Sequence, residues 1–550
     1  MTIKLILKTL KIILKSLEIA KGIKIQPNCP QNLTKGELAL VLHAHLPYVR
    51  SAEKNSLEKD WYFQALMECY LPLLQILENA EKTKNLHAKL TIGLSPTLLS
   101  LFEDSELKSR FPYWIKERLD LLKIAPANQK QAARHLKERI EKQISYWHKC
   151  NGDVIKRFSL LQSKKIIDIL TCAATHGYLP LLRETPNSIR GQLKTAVKEH
   201  KRLFGENPYG IWLPECAYYE GLDIFLNEAG LKYAVLDGHG LLHANPRPKY
   251  GLYAPICTKN GVAFFGRDSE ATLPVWSAKD GYPGNSVYRE FHKDLGWEVP
   301  LEHLNRIGLK VRRPIGLKLY KVTSQKTELK DKEIYEPEKA SLKVKEHALK
   351  YLKERSEQIS RLENSMKKKP LLIAPFDAEL FGHWWFEGPE FIEELFLNVH
   401  KSNINFTRLR DVLQTESMLQ LCNPCPSSWG QGGYHNYWLN ESNAWVVIEW
   451  EKASKAMVKA CSINLESPIE KRIIKQAARE LLLSQSSDWS FILRADTTTD
   501  IAKSKINLHL ERFWYLFNHI ANKESIEENL LVKIEEEDSI FPLITKEDWS

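Results

Sequence analysis

Leu371-Leu372-Ile373-Ala374-Pro375-Phe376-Asp377-Ala378-Glu379-Leu380-Phe381-Gly382-His383-Trp384-Trp385-Phe386-Glu387-Gly388 decides how the rest of this chain is read. The apolar run at 371–374 reads as a buried strand whose end delivers carboxylates, a histidine and paired tryptophans. Indole faces stack on sugar rings, and carboxylates supply the acid, base or nucleophile of glycosidic chemistry. The competing reading is a buried acid among core aromatics. Bulky neighbours would desolvate Asp377 and raise its pKa, as a general acid needs near neutral pH. In an extended stretch residues i and i+2 share a face, so Glu379 is an equal candidate on pattern alone.

Outward from this stretch the chain alternates strands and helices. Apolar runs at 37–42, 90–94, 166–172, 210–215 and 233–237 read as strands, each ending in polar residues. Helical patterns occupy 61–148, 188–204 and 221–230. This alternation predicts an α/β class fold, a parallel barrel with its site at the C-terminal face of the strands. Residues 239–297, rich in Gly, Pro, Tyr and Trp and without periodicity, predict a lid or loop region spanning about 237–310. The Lys/Glu-rich segment 321–369 reads as a helical surface element. Helical patterns at 444–460, 468–484 and 501–521 predict a second, helical domain. The expected organisation is a basic extension 1–35, a catalytic barrel 36–405 and a helical C-terminal domain 406–550 that completes the groove.

Composition narrows the function. Seven lysines and one glutamate in residues 1–35 supply +6 of the net +10, and no basic stripe with interleaved aromatics follows, so nucleic-acid binding is not expected. Nine scattered cysteines, an odd number, are the pattern of free thiols in a reducing compartment. The single pair Cys422 and Cys425 is a weak metal or redox signal. No run of eighteen apolar residues predicts an integral membrane segment. Lysines interrupt the apolar start of the chain, which fits a cytoplasmic protein, or a plastid one if the extension is a targeting segment.

Two carboxylates follow apolar strands and stand among aromatics: Asp377, and Glu215 in Trp212-Leu213-Pro214-Glu215-Cys216-Ala217-Tyr218. A retaining glycosidase needs such a pair about 5–5.5 Å apart. His43 and His45 sit at alternate positions beyond a strand and point the same way. Such a pair binds a metal, donates hydrogen bonds to sugar hydroxyls, or plugs a barrel mouth.

His43-Ala44-His45-Leu46-Pro47-Tyr48, Trp212 to Tyr218 and Asp377 to Gly388 resemble the successive signatures of glycoside hydrolase family 57, most closely its 1,4-α-glucan branching enzymes. Ala174-Thr175-His176-Gly177, Phe265-Gly266-Arg267-Asp268, Gly281-Tyr282-Pro283-Gly284 and Ser486-Ser487-Asp488-Trp489 continue the resemblance in order. The resemblance implies an incomplete (β/α)7 barrel with an all-helical C-terminal domain, working with retention and without metal or cofactor. It implies Glu215 as nucleophile and Asp377 as general acid/base. His43, His45 and His176 match pocket histidines, and Trp61, Trp297, Trp429 and Trp438 match aromatics of the glucan groove. Arg289, Gly316 and Asp488 are candidate sugar contacts, while His383, Trp384 and Trp385 read as scaffold around the acid. The implied partner is an α-glucan such as amylose, amylopectin or a glycogen-like polymer, and the implied reaction is transfer of a cleaved chain to a 6-hydroxyl in glucan synthesis. A loop tyrosine associated with branching has no counterpart between Pro255 and Trp276. A mainly hydrolytic α-glucanase, or a 4-α-glucanotransferase, is therefore the nearest alternative. A non-catalytic glucan-binding protein and a metal-dependent polysaccharide deacetylase are the distant ones.

Overall fold

The computed structural model describes residues 36–51, 53, 55–83, 88–277 and 280–550. The basic extension 1–35 lies outside the described residues. Ten strands share one sheet: β1 (Gly36–Ala44), β2 (Leu90–Leu94), β3 (Ile167–Cys172), β4 (Gly210–Trp212), β5 (Tyr233–Leu236), β6 (Ile256–Cys257), β7 (Ala263–Gly266), β8 (Leu371–Asp377), β9 (Ile404–Phe406) and β10 (Gln420–Leu421). Seven of them, in the order β8-β1-β2-β3-β4-β5-β7, are paired in parallel. Beyond β7 the antiparallel β6 carries β10, and β9 adds to the start of β1.

Alternation along the strands builds the curl. Ala39, Val41, Leu170, Cys172, Trp212, Val235, Phe265 and Ile373 pack together on one face. Leu38, Leu40, Leu42, Ile169, Ile211 and Leu372 turn the other way, against the surrounding helices. With both faces covered, β2, β3, β5 and β7 are buried at every position, which is why β2, β3 and β5 read as largely apolar runs. The curl brings the residue after β7 to β8: the Asp268 amide donates to the Ile373 carbonyl at 2.9 Å. No strand ladder joins β7 to β8 among the described residues, so the seven-stranded parallel barrel stays incomplete, as the resemblance implied.

One expectation needs correction. The region 237–310 is more than a lid, because it contains β6 and the seventh parallel strand, β7. β7 is as short and as buried as β5, but it lies inside a Gly- and Pro-rich stretch without periodicity, which hides it as a strand. The segment 321–369 holds one long helix, Pro337–Ser365. The C-terminal helices Ala444–Ser462, Pro468–Ser484, Ser487–Ala495 and Thr499–Asn522 pack on one another and against the barrel mouth. Pro468–Ser484 begins with a capping box, Ser467 and Glu470 satisfying each other's amides, and a proline in its first turn. The sheet itself runs on to β10, past position 405. Among the described residues no helix is long and apolar enough to cross a membrane.

Candidate active site

A cavity of about 310 Å³ opens at the C-terminal ends of β1, β3, β4 and β8, walled by His43, His45, Trp61, His176, Glu215, Asp377, Glu379, His383, Trp384, Trp429, Asp488 and Phe491 among others. The barrel supplies most of the wall, and Asp488 and Phe491 come from the helix Ser487–Ala495.

Glu215 sits in a tight turn directly after β4 with φ +61° and ψ +25°, a conformation that costs a non-glycine residue about 1–3 kcal/mol. His176, after β3, has φ +57°. These turns persist because neighbouring chain over-determines them. The Trp429 amide donates to the Glu215 carbonyl at 3.0 Å, and Tyr218 exchanges backbone hydrogen bonds with Ser427 at 2.9 and 3.1 Å. The Trp429 indole N–H then donates to Glu215 Oε2 at 2.6 Å. One residue thus fixes both the backbone and the carboxylate of Glu215.

Asp377 ends β8, and His43 is its register partner on β1. Burial raises Asp377 to about 6, with the charges of His45 and Arg267 working against it. Burial likewise raises Glu215 to about 8; the indole bond opposes the rise and the charge of Asp377 adds to it. The two carboxyls therefore titrate as a linked pair that holds a single proton between about pH 6 and pH 8.

A short 3₁₀ turn, Ala378–Leu380, takes Glu379 out of the strand's alternation with Asp377. Glu379 Oε1 accepts from the His45 amide at 3.1 Å and from the Tyr70 hydroxyl, so Glu379 braces the β1 end. Burial raises it to about 8. Among the described residues no protein donor is aimed at the Asp377 carboxyl, which leaves it free for a ligand.

The three histidines form a stack. His45 and His176 lie 4.0 Å apart at 14°, and His43 lies 4.8 Å from the Trp212 ring at 11°. Gly93 of β2 permits this closeness, since a Cβ there would stand 3.1 Å from both His43 Nδ1 and Trp212 Cβ. His43 Nε2 and His176 Nε2 share a hydrogen bond at 3.0 Å, and Ser487 holds His176 Nδ1 at 2.7 Å. Burial, then the neighbouring imidazoles, push His43 and His176 well below the usual histidine range, so both are neutral. His45 is held at both nitrogens, by Ser95 at 2.9 Å and Asp488 at 2.9 Å. Burial alone would raise Asp488, but the charge and hydrogen bond of His45 hold it well below the usual carboxylate range.

Donor atoms of His45, His176 and Asp488 fall within 4.8 Å of one another, as do those of His43, Cys172 and His176. Face-to-face stacking, however, aims ring nitrogens along parallel planes rather than at a common point, and the nitrogens of His45 and His176 already bond protein partners. The clusters do not fit a tetrahedral metal site.

The cavity thus gathers Glu215, Asp377, His43, His45, His176, Trp61, Trp429 and Asp488 from the predicted set. Four others stand elsewhere. Arg289 is buried in an ion pair with Glu68 at 2.8 Å. The amide of Gly316, at φ +80°, donates to Asp294 at 2.9 Å. Trp438 is only 1% exposed and stacks on Tyr178 at 4.6 Å. Trp297 is exposed but outside the cavity wall. Conversely, His383 and Trp384 line the cavity rather than serving as scaffold, Trp384 being 45% exposed; Trp385, at 1%, is core. Phe491 has no sequence signal, for it lies on a helix with apolar residues on several faces.

The model of glycosyl hydrolase family 57 matches residues 39–421, and that of the 1,4-α-glucan branching enzyme C-terminal region matches residues 449–549. A 1,4-α-glucan branching enzyme of Thermococcus kodakarensis is 31% identical over 92% of this chain and 77% of its own length. The crystal structure of the α-amylase AmyC from Thermotoga maritima superimposes with a TM-score of 0.86 at 32% identity, covering 94% of this chain and 99% of that one. A family 57 branching enzyme from Pyrococcus horikoshii gives 0.83 at 31%, covering 94% and 97%. The first match takes in the barrel and both carboxylates, and the second takes in Asp488 and Phe491 across the cavity. On that coverage the chain belongs to glycosyl hydrolase family 57.

Proposed function

We propose that the chain is a retaining 1,4-α-glucan branching enzyme, with Glu215 as nucleophile and Asp377 as general acid/base. The observation that carries this reading is the cavity with two unequal carboxyls: Glu215 clamped by the Trp429 indole, Asp377 free of protein donors. Taken singly, the values of about 8 and about 6 put the shared proton on Glu215 in the empty cavity. The donor set argues for the opposite arrangement in the loaded one. An indole N–H stabilises ionised Glu215, and a glycosidic oxygen gives a proton on Asp377 its acceptor.

Glu215 attacks the anomeric carbon of an α-1,4 linkage while Asp377 protonates the departing 4-oxygen, and a glycosyl ester on Glu215 results. Asp377, now ionised, takes the proton of an incoming 6-hydroxyl, whose oxygen displaces Glu215 and forms an α-1,6 linkage. Two inversions give net retention. The neutral His43 and His176, with His45 and Asp488, offer hydrogen bonds to hydroxyls of the reacting sugar, and Trp61, Trp384 and Phe491 offer apolar faces to its neighbours. Support for branching, rather than cutting, comes from the C-terminal match, whose family model is named for branching enzymes.

A specific observation favours a second reading, α-glucan hydrolysis. The likeness to AmyC is as strong as that to the branching enzymes, and no tyrosine lies between Pro255 and Trp276. Incubation with amylose, followed by enzymatic debranching and chain-length analysis, separates the two. New α-1,6 linkages are expected; reducing ends without branches would refute branching. Glu215→Gln is expected to abolish both products while retaining glucan binding.

A further inference from the structure

His383 stands on the cavity wall with a carboxylate behind it. Gly382, at φ +121°, precedes it, and a Cβ there would lie 1.8 Å from the Glu68 carbonyl oxygen. Only glycine lets this loop lie against the π-helical turn Leu66–Tyr70 that carries Glu68. The close approach sets His383 Nδ1 at 2.7 Å from Glu68 Oε2. Arg289 donates to Glu68 Oε1 at 2.8 Å and to the His383 carbonyl at 3.3 Å. Burial alone would raise Glu68, but Arg289 and the His383 bond hold it at about 2, a permanent anion. An anion accepts, so the imidazole proton sits on Nδ1 and the lone pair on Nε2. Burial lowers His383, keeping the ring neutral. Nε2 has no protein partner among the described residues, 17% of the side chain is exposed, and Phe291 fixes the ring edge-on at 5.4 Å.

The loop carrying His383 follows directly from the β8 end that carries Asp377. An acid that protonates the departing oxygen stands beside the sugar beyond the cleaved bond, so this loop borders that sugar. We propose that His383 Nε2 accepts a hydrogen bond from a hydroxyl of the sugar on Asp377's side, first the departing glucosyl unit and then the incoming acceptor. Glu68 is the positioning residue that sets the tautomer, and Arg289 keeps Glu68 in place. The inference rests on the assignment of Glu215 and Asp377 above.

The test compares two donors. Amylose departs as a sugar on Asp377's side; α-maltotriosyl fluoride departs as fluoride and places none there. His383→Phe keeps a ring and removes the acceptor. It is expected to lower kcat/KM on amylose about tenfold, the worth of one hydrogen bond of about 1.4 kcal/mol. The kcat/KM for the fluoride, set by formation of the glycosyl ester before any acceptor binds, should stay within about twofold of wild type. His383→Gln, which returns an acceptor oxygen, should recover part of the loss. Glu68→Gln, whose amide no longer dictates the tautomer, should show the same selective loss at a smaller size. Equal losses on both donors, or an unchanged amylose reaction in a folded His383→Phe protein, would overturn the proposal. A wild-type enzyme that consumes both donors yet makes no α-1,6 linkage would sink the branching reading instead, and the amylose-to-fluoride ratio would still judge His383.

Discussion

Replacing Trp429 with phenylalanine isolates one interaction of Glu215, the proposed nucleophile. The indole N–H lies 2.6 Å from Glu215 Oε2, the distance of a hydrogen bond to an ionised acceptor. Phenylalanine keeps an aromatic face for the edge contact with Trp212, 5.0 Å away, and keeps the backbone amide that holds the Glu215 carbonyl. What disappears is a charge-assisted bond worth about 1.5–3 kcal/mol. That energy stabilises the ionised form of Glu215, so its removal raises the Glu215 pKa further, by about one to two units. At neutral pH kcat/KM on amylose is expected to fall by about 10- to 100-fold. In the free enzyme the acid limb, at about 6, follows Asp377 and should stay in place, while the alkaline limb, at about 8, follows Glu215 and should move up. A stopped assay of reducing ends across pH 4–9, with thermal unfolding as a fold control, reads both limbs. If the loss appears only as a raised KM with both limbs unmoved, Trp429 is merely a wall and Glu215 is not the group it serves.

The linked carboxyls make a second prediction: kcat/KM is bell-shaped, rising through about pH 6 and falling through about pH 8. Below this window both acids are protonated and there is no nucleophile; above it both are ionised and there is no acid. A plateau extending beyond pH 9 would contradict the pairing. Gly93→Ala places a Cβ 3.1 Å from His43 and Trp212, which should destabilise the fold by about 1–3 kcal/mol and cut activity by displacing the stack; calorimetry and kcat/KM read the two effects. Asp488→Asn removes the charged partner of His45 and should cost about tenfold or more in kcat/KM with little change in thermal stability. Chelators should leave turnover unchanged, and chelator-sensitive activity would favour the deacetylase alternative.

Much of the architecture was legible because parallel strands buried on both faces declare themselves as apolar runs. The runs at 37–42, 90–94, 166–172, 233–237 and 371–374 all belong to strands of the sheet. Where a strand shrinks to four residues inside a Gly- and Pro-rich region, as at β7, the signal fails, and a barrel strand reads as loop. Glu215 and Asp377 were legible for the same reason as the strands: each is the first polar residue delivered by an apolar run into an aromatic neighbourhood.

The linear sequence by itself determined the parallel sheet, the order of its motifs and the membership of family 57, and it singled out Glu215 and Asp377 as candidates. Tertiary structure alone decided which aromatic and polar side chains meet the cavity. Trp429 and Trp438 are nine residues apart, yet one donates to Glu215 and the other is sealed against Tyr178. Asp488 reaches His45 across 443 positions of sequence, and Arg289 turns inward to Glu68 instead of toward the ligand. Burial and partnership of this kind are set by chain segments far away in sequence, so periodicity and composition carry no record of them.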